Sequence, residues 1–557
     1  MDKPVVKPAS KRPSGPRKEG GPRSKPGARS ERPSGRGGRG DKPRGDRPDR
    51  PSGDRKFDKP RGDRPPRGRG FESSGDRRNS RHGDSKPQEA IDPSRRYAVG
   101  QILRVIHDKK PLRDQGGPAW LALEPRDQAF AERLLKATLR NYGRLSRTVR
   151  RALTSAKLDD ARLEPVMVTA ACELIELDTP PYAVGSRYVD LVRDWGDGRY
   201  KGLVNAVIRR LADQGKQWYG QLGAEAALPR WLVSRWRRNW GEQVTDSWWP
   251  QFAAQSAVDL SLVHDVDEAT INALTELGEF LPTGQIRLRA DAGRVTALPG
   301  FEDGKFWVQD AAASLPVAML GDVSGQSVFD LCAAPGGKTL QLANRGAAVT
   351  AVDADGQRLR RLHENLQRVP MSGVDVVEAD VLRWQPKQRP DAILLDAPCS
   401  ATGTLRHHPD AAWLRAEGDL GDNVELQAQM LDRALDMLPI GGRLVYAVCS
   451  LEPEEGELQI EKLLERRQDV KFAAIDHTSF ALPEAVRGPG WLRVYPDDLL
   501  PRGADGFFAA RLEKVAHGEG RGLDELGDHR WQPAQADKDA AAAAPEPAAK
   551  RSTLKLK

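Results

Sequence analysis

The chain has 557 residues, only four cysteines, 38% apolar residues and a net charge of +8. So few cysteines in so long a chain exclude a disulfide-built scaffold and point to a reducing, cytoplasmic setting. No apolar run is long enough to span a bilayer, and the opening MDKPVVKPASKRPSG lacks the apolar stretch of a secretory signal, so neither a membrane partner nor export is expected.

The positive charge is unevenly placed. Residues 1–90 hold 27 Lys and Arg against 13 Asp and Glu, and the rest of the chain is net acidic. Residues 1–92 are rich in Gly, Pro, Arg, Ser and Asp, and DKPRGDRP recurs at 41–48 and 58–65. Such a segment has too little to bury to offset its chain entropy, so a disordered basic tail is expected. Its composition suits an electrostatic tether to nucleic acid, with a solubilising extension as the plainer alternative. RNA bound by the acidic remainder would need a local basic patch.

Residues 93–215 carry helical periodicity without strand signals. Phe130, Leu134 and Leu135 fall on one helical face, as do Val204, Val207, Ile208 and Leu211. A compact all-α bundle is expected. Residues 216–310 form a connector or small α+β subdomain. In LPRWLVSRWRRNWG (228–241), Trp231, Trp236 and Trp240 alternate with Arg235, Arg237 and Arg238, and Trp248 and Trp249 follow. The tryptophans suit inward packing, and the arginines are candidates for phosphate contact.

From 311 to 514, apolar runs alternate with helical stretches. The runs are QSVFDLC (326–332), AAVTAVDAD (347–355), VDVVEAD (374–380), DAILLDAP (391–398) and RLVYAVCS (443–450). This alternation predicts βαβ units around a mainly parallel sheet, with ADGFFAARLE (504–513) as a late antiparallel strand. Residues 515–557, ending in AAAAAPEPAAKRSTLKLK, are expected to be a second disordered tail.

Ligands of open α/β sheets bind at the carboxyl ends of the strands. Asp353, Asp380 and Asp396 fall at or beside three such ends, and the Gly-rich turn Cys332, Ala333, Ala334, Pro335, Gly336, Gly337, Lys338 follows the first strand. The turn matches neither the dinucleotide fingerprint nor the P-loop. Asp353, 17 residues past Gly336, suits a ribose diol, and Asp380 suits an adenine amino group. A cationic adenosine ligand without phosphates fits this acidic ring, and S-adenosylmethionine (SAM) is such a ligand.

Cys399 and Cys449 each follow a strand beside that site, and each precedes a serine. Carbon 5 of a pyrimidine is a poor nucleophile until a thiolate adds at carbon 6, after which a base must remove the carbon 5 proton and the sulfur must leave. Asp396 is the nearest group in sequence to assist at ring nitrogen 3. Spacing alone leaves open which thiol attacks. Cys172, on an apolar helix, and Cys332, in the turn, suit packing. The adjacent His407 and His408 lack the spaced partners of a zinc site, so no metal is expected and a solvated loop is their role.

Over residues 95–514 these motifs resemble the bacterial 16S rRNA cytosine-C5 methyltransferase B family (RsmB, Sun or Fmu), which joins a NusB-like helical domain to a Rossmann-like SAM-dependent domain. DLCAAPGGKT (330–339), DAPCSATG (396–403) and VCSLEPEE (448–455) resemble its three catalytic signatures. VQDAAASLP (308–316) and DGFFAARL (505–512) resemble flanking segments, and LEPRDQAFAERLLKATLR (123–140) and GLVNAVIRRL (202–211) resemble the NusB-like part. The resemblance implies that Cys449 is the nucleophile, that Cys399 assists deprotonation and release, and that Asp396 contacts the target base. It also implies that residues 332–338, Asp353, Asp380 and Asp396 line the SAM site. DNA cytosine methyltransferases attack with the Cys of a Pro-Cys signature instead, and the third signature favours RNA. Ribosomal RNA is the implied partner and the protein is expected to be a monomer. The same chemistry on tRNA, or a non-catalytic RNA-binding assembly factor, are the alternatives. Val448 and Gly456 depart from the Thr and Asn usual in the family, removing a hydroxyl next to Cys449 in sequence.

Overall fold

The computed structural model describes residues 91–534, apart from 113–116, 156, 194, 477–480, 500–502 and 521–526. The expected disorder of 1–90 and of 535–557 lies outside the described residues. No described helix is long and apolar enough to cross a membrane.

Six main helices build the N-terminal bundle: Pro93–Ile106, Pro125–Arg140, Tyr142–Ala152, Leu163–Ile175, Pro181–Leu191 and Tyr200–Gly220. Three of them begin on a proline, where a missing N–H costs nothing. Asp92, before the first, accepts the Arg95 N–H at 3.0 Å. Their apolar faces share one core, with Leu134, Leu145, Val166, Tyr188, Val204 and Val207 fully buried. Cys172 lies inside that core, where burial pushes its thiol up to about 12. The last helix crosses the expected boundary at 215 and ends at Gly220.

Next comes a tryptophan cluster, then a four-stranded antiparallel sheet. Trp236, Trp248, Trp249 and Phe252 pack inward against Leu405 and Leu451. The sheet comprises β1 (Asp259–Leu262), β2 (Gly278–Phe280), β3 (Ile286–Leu288) and β4 (Phe306–Val308), in the order β2-β3-β1-β4.

The large sheet contains β5 (Ser327–Leu331), β6 (Ala348–Asp353), β7 (Val374–Glu378), β8 (Ala392–Asp396), β9 (Arg443–Val448), β10 (Val470–Phe472), β11 (Trp491–Val494) and β12 (Phe507–Lys514). Its order is β10-β12-β9-β8-β5-β6-β7, with β11 also paired to β12. The five strands β5 to β9 are parallel to their neighbours, and β12 runs antiparallel to β9. Alternation sends successive residues to opposite faces. Leu444, Tyr446 and Val448 of β9 join a core with Leu431, Leu435 and Leu463, and Val445 and Ala447 join another with Leu315, Leu320 and Leu342. Helices thus cover both faces, which explains the continuous apolar runs of these strands. The chain moves from β5 to β7 in one direction and from β8 to β9 in the other. The switch point lies between the carboxyl ends of β5 and β8.

Ordered contacts continue past residue 514, where a tail was expected. Trp531 donates its backbone N–H to Glu461 at 2.9 Å and its ring meets Trp240 at 6.1 Å. An aromatic anchor gives this short segment the apolar surface its alanine-rich continuation lacks.

Candidate active site

The turn after β5 occupies the switch point. Cys332 takes φ 63 and Gly336 φ 104, with a cis peptide between Ala334 and Pro335. A Cβ on Gly336 would lie 2.2 Å from Leu362 Cδ1, so only glycine fits there. Arg358 donates to the Ala334 carbonyl and Asn365 to the Pro335 carbonyl at 3.1 Å, so the helix Gly356–Arg368 braces the turn.

Asp353 ends β6 and is buried. Its carboxylate accepts the Ala334 N–H at 3.1 Å and the Asp355 N–H at 3.0 Å, tying the turn to the next strand. Asp396 ends β8 and meets the Lys338 ammonium at 2.7 Å. Burial pulls Lys338 down, but the charge and hydrogen bond of Asp396 outweigh it and hold the ammonium above its ordinary value. The same ammonium lies 5.2 Å from the centre of the Phe507 ring. Burial, then Asp353, Asp396 and Asp330, pushes the Cys332 thiol up, so three carboxylates converge on this turn. Asp380 lies two residues beyond β7. It accepts the Leu382 N–H at 3.0 Å beside Arg383, a cap on its own turn, and its side chain is 47% exposed.

Asp330 is a site residue that sequence reasoning missed. It is fully buried on β5, with one oxygen held by Thr339 at 2.6 Å and Oδ1 without a partner. Burial raises its carboxyl to about 7.

Beside this turn, Cys399 Sγ and Cys449 Sγ lie 3.5 Å apart. The adjacency of β8 and β9 brings them together, because Asp396 registers with Ala447. The hydrogen bond with Cys449, then burial, holds the Cys399 thiol well above its ordinary range. Behind both thiols is buried Glu455. It accepts the Ser400 N–H at 2.9 Å, the Ser400 and Ser450 hydroxyls at 2.5 Å each, and the amides of Asn423 and Gln427 at 3.2 Å each. The serine after each cysteine is therefore one half of a clamp.

The loop after β9 is fixed from the other side too. Arg493 forms a buried ion pair with Glu457 and donates to the Ser450 carbonyl. A Cβ on Gly456 would lie 2.5 Å from Arg493 Nη2, so this pair uses the space a larger residue needs. Val448 packs into the core on the face opposite Cys449, where a hydroxyl would meet apolar side chains rather than the thiol.

Two expectations need correction. Arg235 is not a phosphate ligand: it is 7% exposed and paired with Glu452 at 2.5 Å and Glu454 at 2.6 Å, while Trp236 donates to Glu452 at 2.8 Å. Arg237 pairs with Glu242 and Asp246, and Arg238 with Glu417. His407 is not a solvated loop residue. Its Nδ1 faces Asp505 at 3.0 Å and its Nε2 the Ala257 carbonyl at 3.0 Å. Burial pulls His407 down, but Asp505 outweighs it and carries the ring up to about 9, so both nitrogens donate. Asp310 completes a cluster whose ligand-capable atoms lie within 4.8 Å. The two donated hydrogen bonds leave neither imidazole nitrogen a lone pair for a cation.

The 16S rRNA methyltransferase RsmB/F family matches residues 317–513, and the NusB family matches residues 92–213. The chain is 31% identical over 442 residues to ribosomal RNA small subunit methyltransferase B of Cronobacter sakazakii, and 33% identical over 443 residues to that of Escherichia coli. Each match covers 75% of this chain and 98% of the relative. The crystal structure of PH0851 superposes with a TM-score of 0.61 at 21% identity, covering 76% of this chain and 99% of that one, a likeness of fold.

Proposed function

The chain belongs to the ribosomal RNA small subunit methyltransferase B family, and from its paired thiols we propose that it methylates carbon 5 of a cytosine in 16S rRNA with SAM as donor. The observation that carries this reading is the 3.5 Å approach of Cys399 and Cys449 beside an acidic cofactor turn. The donor set fits SAM. Asp330, Asp353 and Asp396 suit a cation, Asp330 Oδ1 is buried without a partner, and a Cβ on Gly337 would meet nothing nearer than Gln309 Cγ at 3.9 Å. Residues 332–338 with Asp353, Asp380 and Asp396 would hold it, Asp353 through the ribose diol. SAM, when bound, supplies an electrophilic methyl group to carbon 5.

Cys449 Sγ, as thiolate, adds to carbon 6 of a cytosine taken out of its stack. Ring nitrogen 3 takes up a proton from solvent as the sulfur adds, and the Asp396 carboxylate, held by Lys338, would accept the hydrogen bond from it and so favour the addition. Once carbon 5 is methylated it must lose its proton. Cys399 takes it, the C–H electron pair restores the ring double bond, and the Cys449 sulfur leaves as thiolate. The hydrogen bond with Cys449, then burial, holds the Cys399 thiol protonated, so it must first give its own proton to solvent, and the first of these influences ends when the Cys449 sulfur binds carbon.

The test is methyl transfer from labelled SAM to 16S rRNA, followed by bisulfite sequencing. One cytosine is expected to gain protection with the intact protein and none with Cys449→Ala. Label in tRNA alone, or at adenine or a ribose hydroxyl, would overturn the reading.

A further inference from the structure

The segment after Cys399 leaves the catalytic sheet and reaches the helical bundle. It is a run of short turns: Thr404 N–H bonds the Ala401 carbonyl at 3.1 Å, His407 N–H the Thr404 carbonyl at 2.9 Å, Ala411 N–H the His408 carbonyl at 3.1 Å and Trp413 N–H the Asp410 carbonyl at 2.9 Å. Near the thiols it is pinned by Gly403 N–H to the Cys449 carbonyl at 3.1 Å and by Gly506 N–H to the Gly403 carbonyl at 2.9 Å. His407, donating from both nitrogens, pins its middle.

Its far end packs against both the bundle and the tryptophan cluster, and its polar contacts are with the bundle. Trp413 Nε1 donates to the Leu139 carbonyl at 3.0 Å, and its ring meets Tyr142 edge-on at 5.0 Å. The Trp413 carbonyl accepts from Lys109 at 3.0 Å, and Arg140 reaches the Arg406 carbonyl at 3.4 Å. Leu139, Arg140 and Tyr142 lie where the helix Pro125–Arg140 turns into Tyr142–Ala152. The loop bearing Cys399 is therefore strung between the sheet and the helical domain.

We propose that Trp413 is a positioning residue through which the helical domain holds Cys399 at the height needed to take the carbon 5 proton. The helical domain is then part of the catalytic geometry and not only a grip on RNA. This rests on the reading of Cys399 as the release group. Glu455 clamps the serine after each thiol, but Cys449 follows β9 directly and its loop is held in addition by Arg493, while the segment after Cys399 runs on to the bundle, so attack survives the loss of Trp413 while release suffers.

The experiment uses the full chain with a 16S rRNA substrate and SAM, read on denaturing gels, with Trp413→Ala, Trp413→Phe and Cys399→Ala side by side. Trp413→Ala is expected to accumulate a covalent RNA adduct and to turn over roughly ten- to a hundredfold more slowly, with SAM binding unchanged in calorimetry. Trp413→Phe keeps the ring against Tyr142 without the donor to Leu139, and is expected to fall between Ala and the native protein. Wild-type turnover without adduct in Trp413→Phe and Trp413→Ala overturns the proposal. So does slow turnover without adduct in either, which is the mark of a merely structural tryptophan. If Trp413→Ala fails to fold, Trp413→Phe decides. An absence of adduct in Cys399→Ala overturns the reading of Cys399 itself, and this inference with it.

Discussion

Asp330 has one oxygen on Thr339 and the other on nothing, and burial holds its carboxyl at about 7. Its ordinary value is 3.8, so burial leaves it about half neutral near pH 7 in the free protein and largely neutral a unit below. A cation seated among Asp330, Asp353 and Asp396 favours its ionised form and expels that proton. Affinity for SAM is therefore expected to fall as pH drops below about 7, with proton release on binding. Calorimetry in two buffers of different ionisation heat measures this directly. Equal heats in both buffers, or the same release from Asp330→Asn, would contradict it. At this scale the positions of Asp353 and Asp396 were legible because each ends a strand, and those of Cys399 and Cys449 because each closely follows one. Asp330 was not, because one residue inside an apolar strand carries no pattern until the turn folds over it.

Between elements, the two loops after β8 and β9 are one unit because Glu455 binds both serines. Glu455→Ala would leave the Ser400 and Ser450 hydroxyls, the Ser400 N–H and two amides without their acceptor. The expected cost is about 2–5 kcal/mol of stability, together with loss of methyl transfer, read as a lower denaturant midpoint. An unchanged midpoint would show that the clamp is not needed. The parallel strands β5 to β9 were legible from their apolar runs, within a residue or two at each end. Strands β2, β3 and β4 were not, since each is three residues long and is fixed by its neighbours rather than by its own alternation. Arg235 was misread for a related reason. Its acidic partners, Glu452 and Glu454, are more than 200 residues away in sequence.

For the whole molecule, a helical bundle and an α/β domain meet on the loop that carries Cys399, and the net positive charge lies in residues 1–90. That segment holds 27 Lys and Arg against 13 Asp and Glu, while the remainder is net acidic. Deleting residues 1–90 is expected to weaken RNA binding and to flatten its dependence on salt, because fewer counterions are released. The thermal midpoint of the remainder should stay put. Fluorescence anisotropy across a salt series measures the slope, and an unchanged slope would place the RNA grip within residues 91–557.

The division of labour between the two sulfurs is tested most directly by mapping the RNA-linked peptide by mass spectrometry after incubating each cysteine variant with 16S rRNA and SAM. Cys399→Ala is expected to yield one cross-linked peptide, with cytosine on the Cys449 sulfur, and Cys449→Ala none. A cross-link on Cys399 in the Cys449→Ala protein would contradict it.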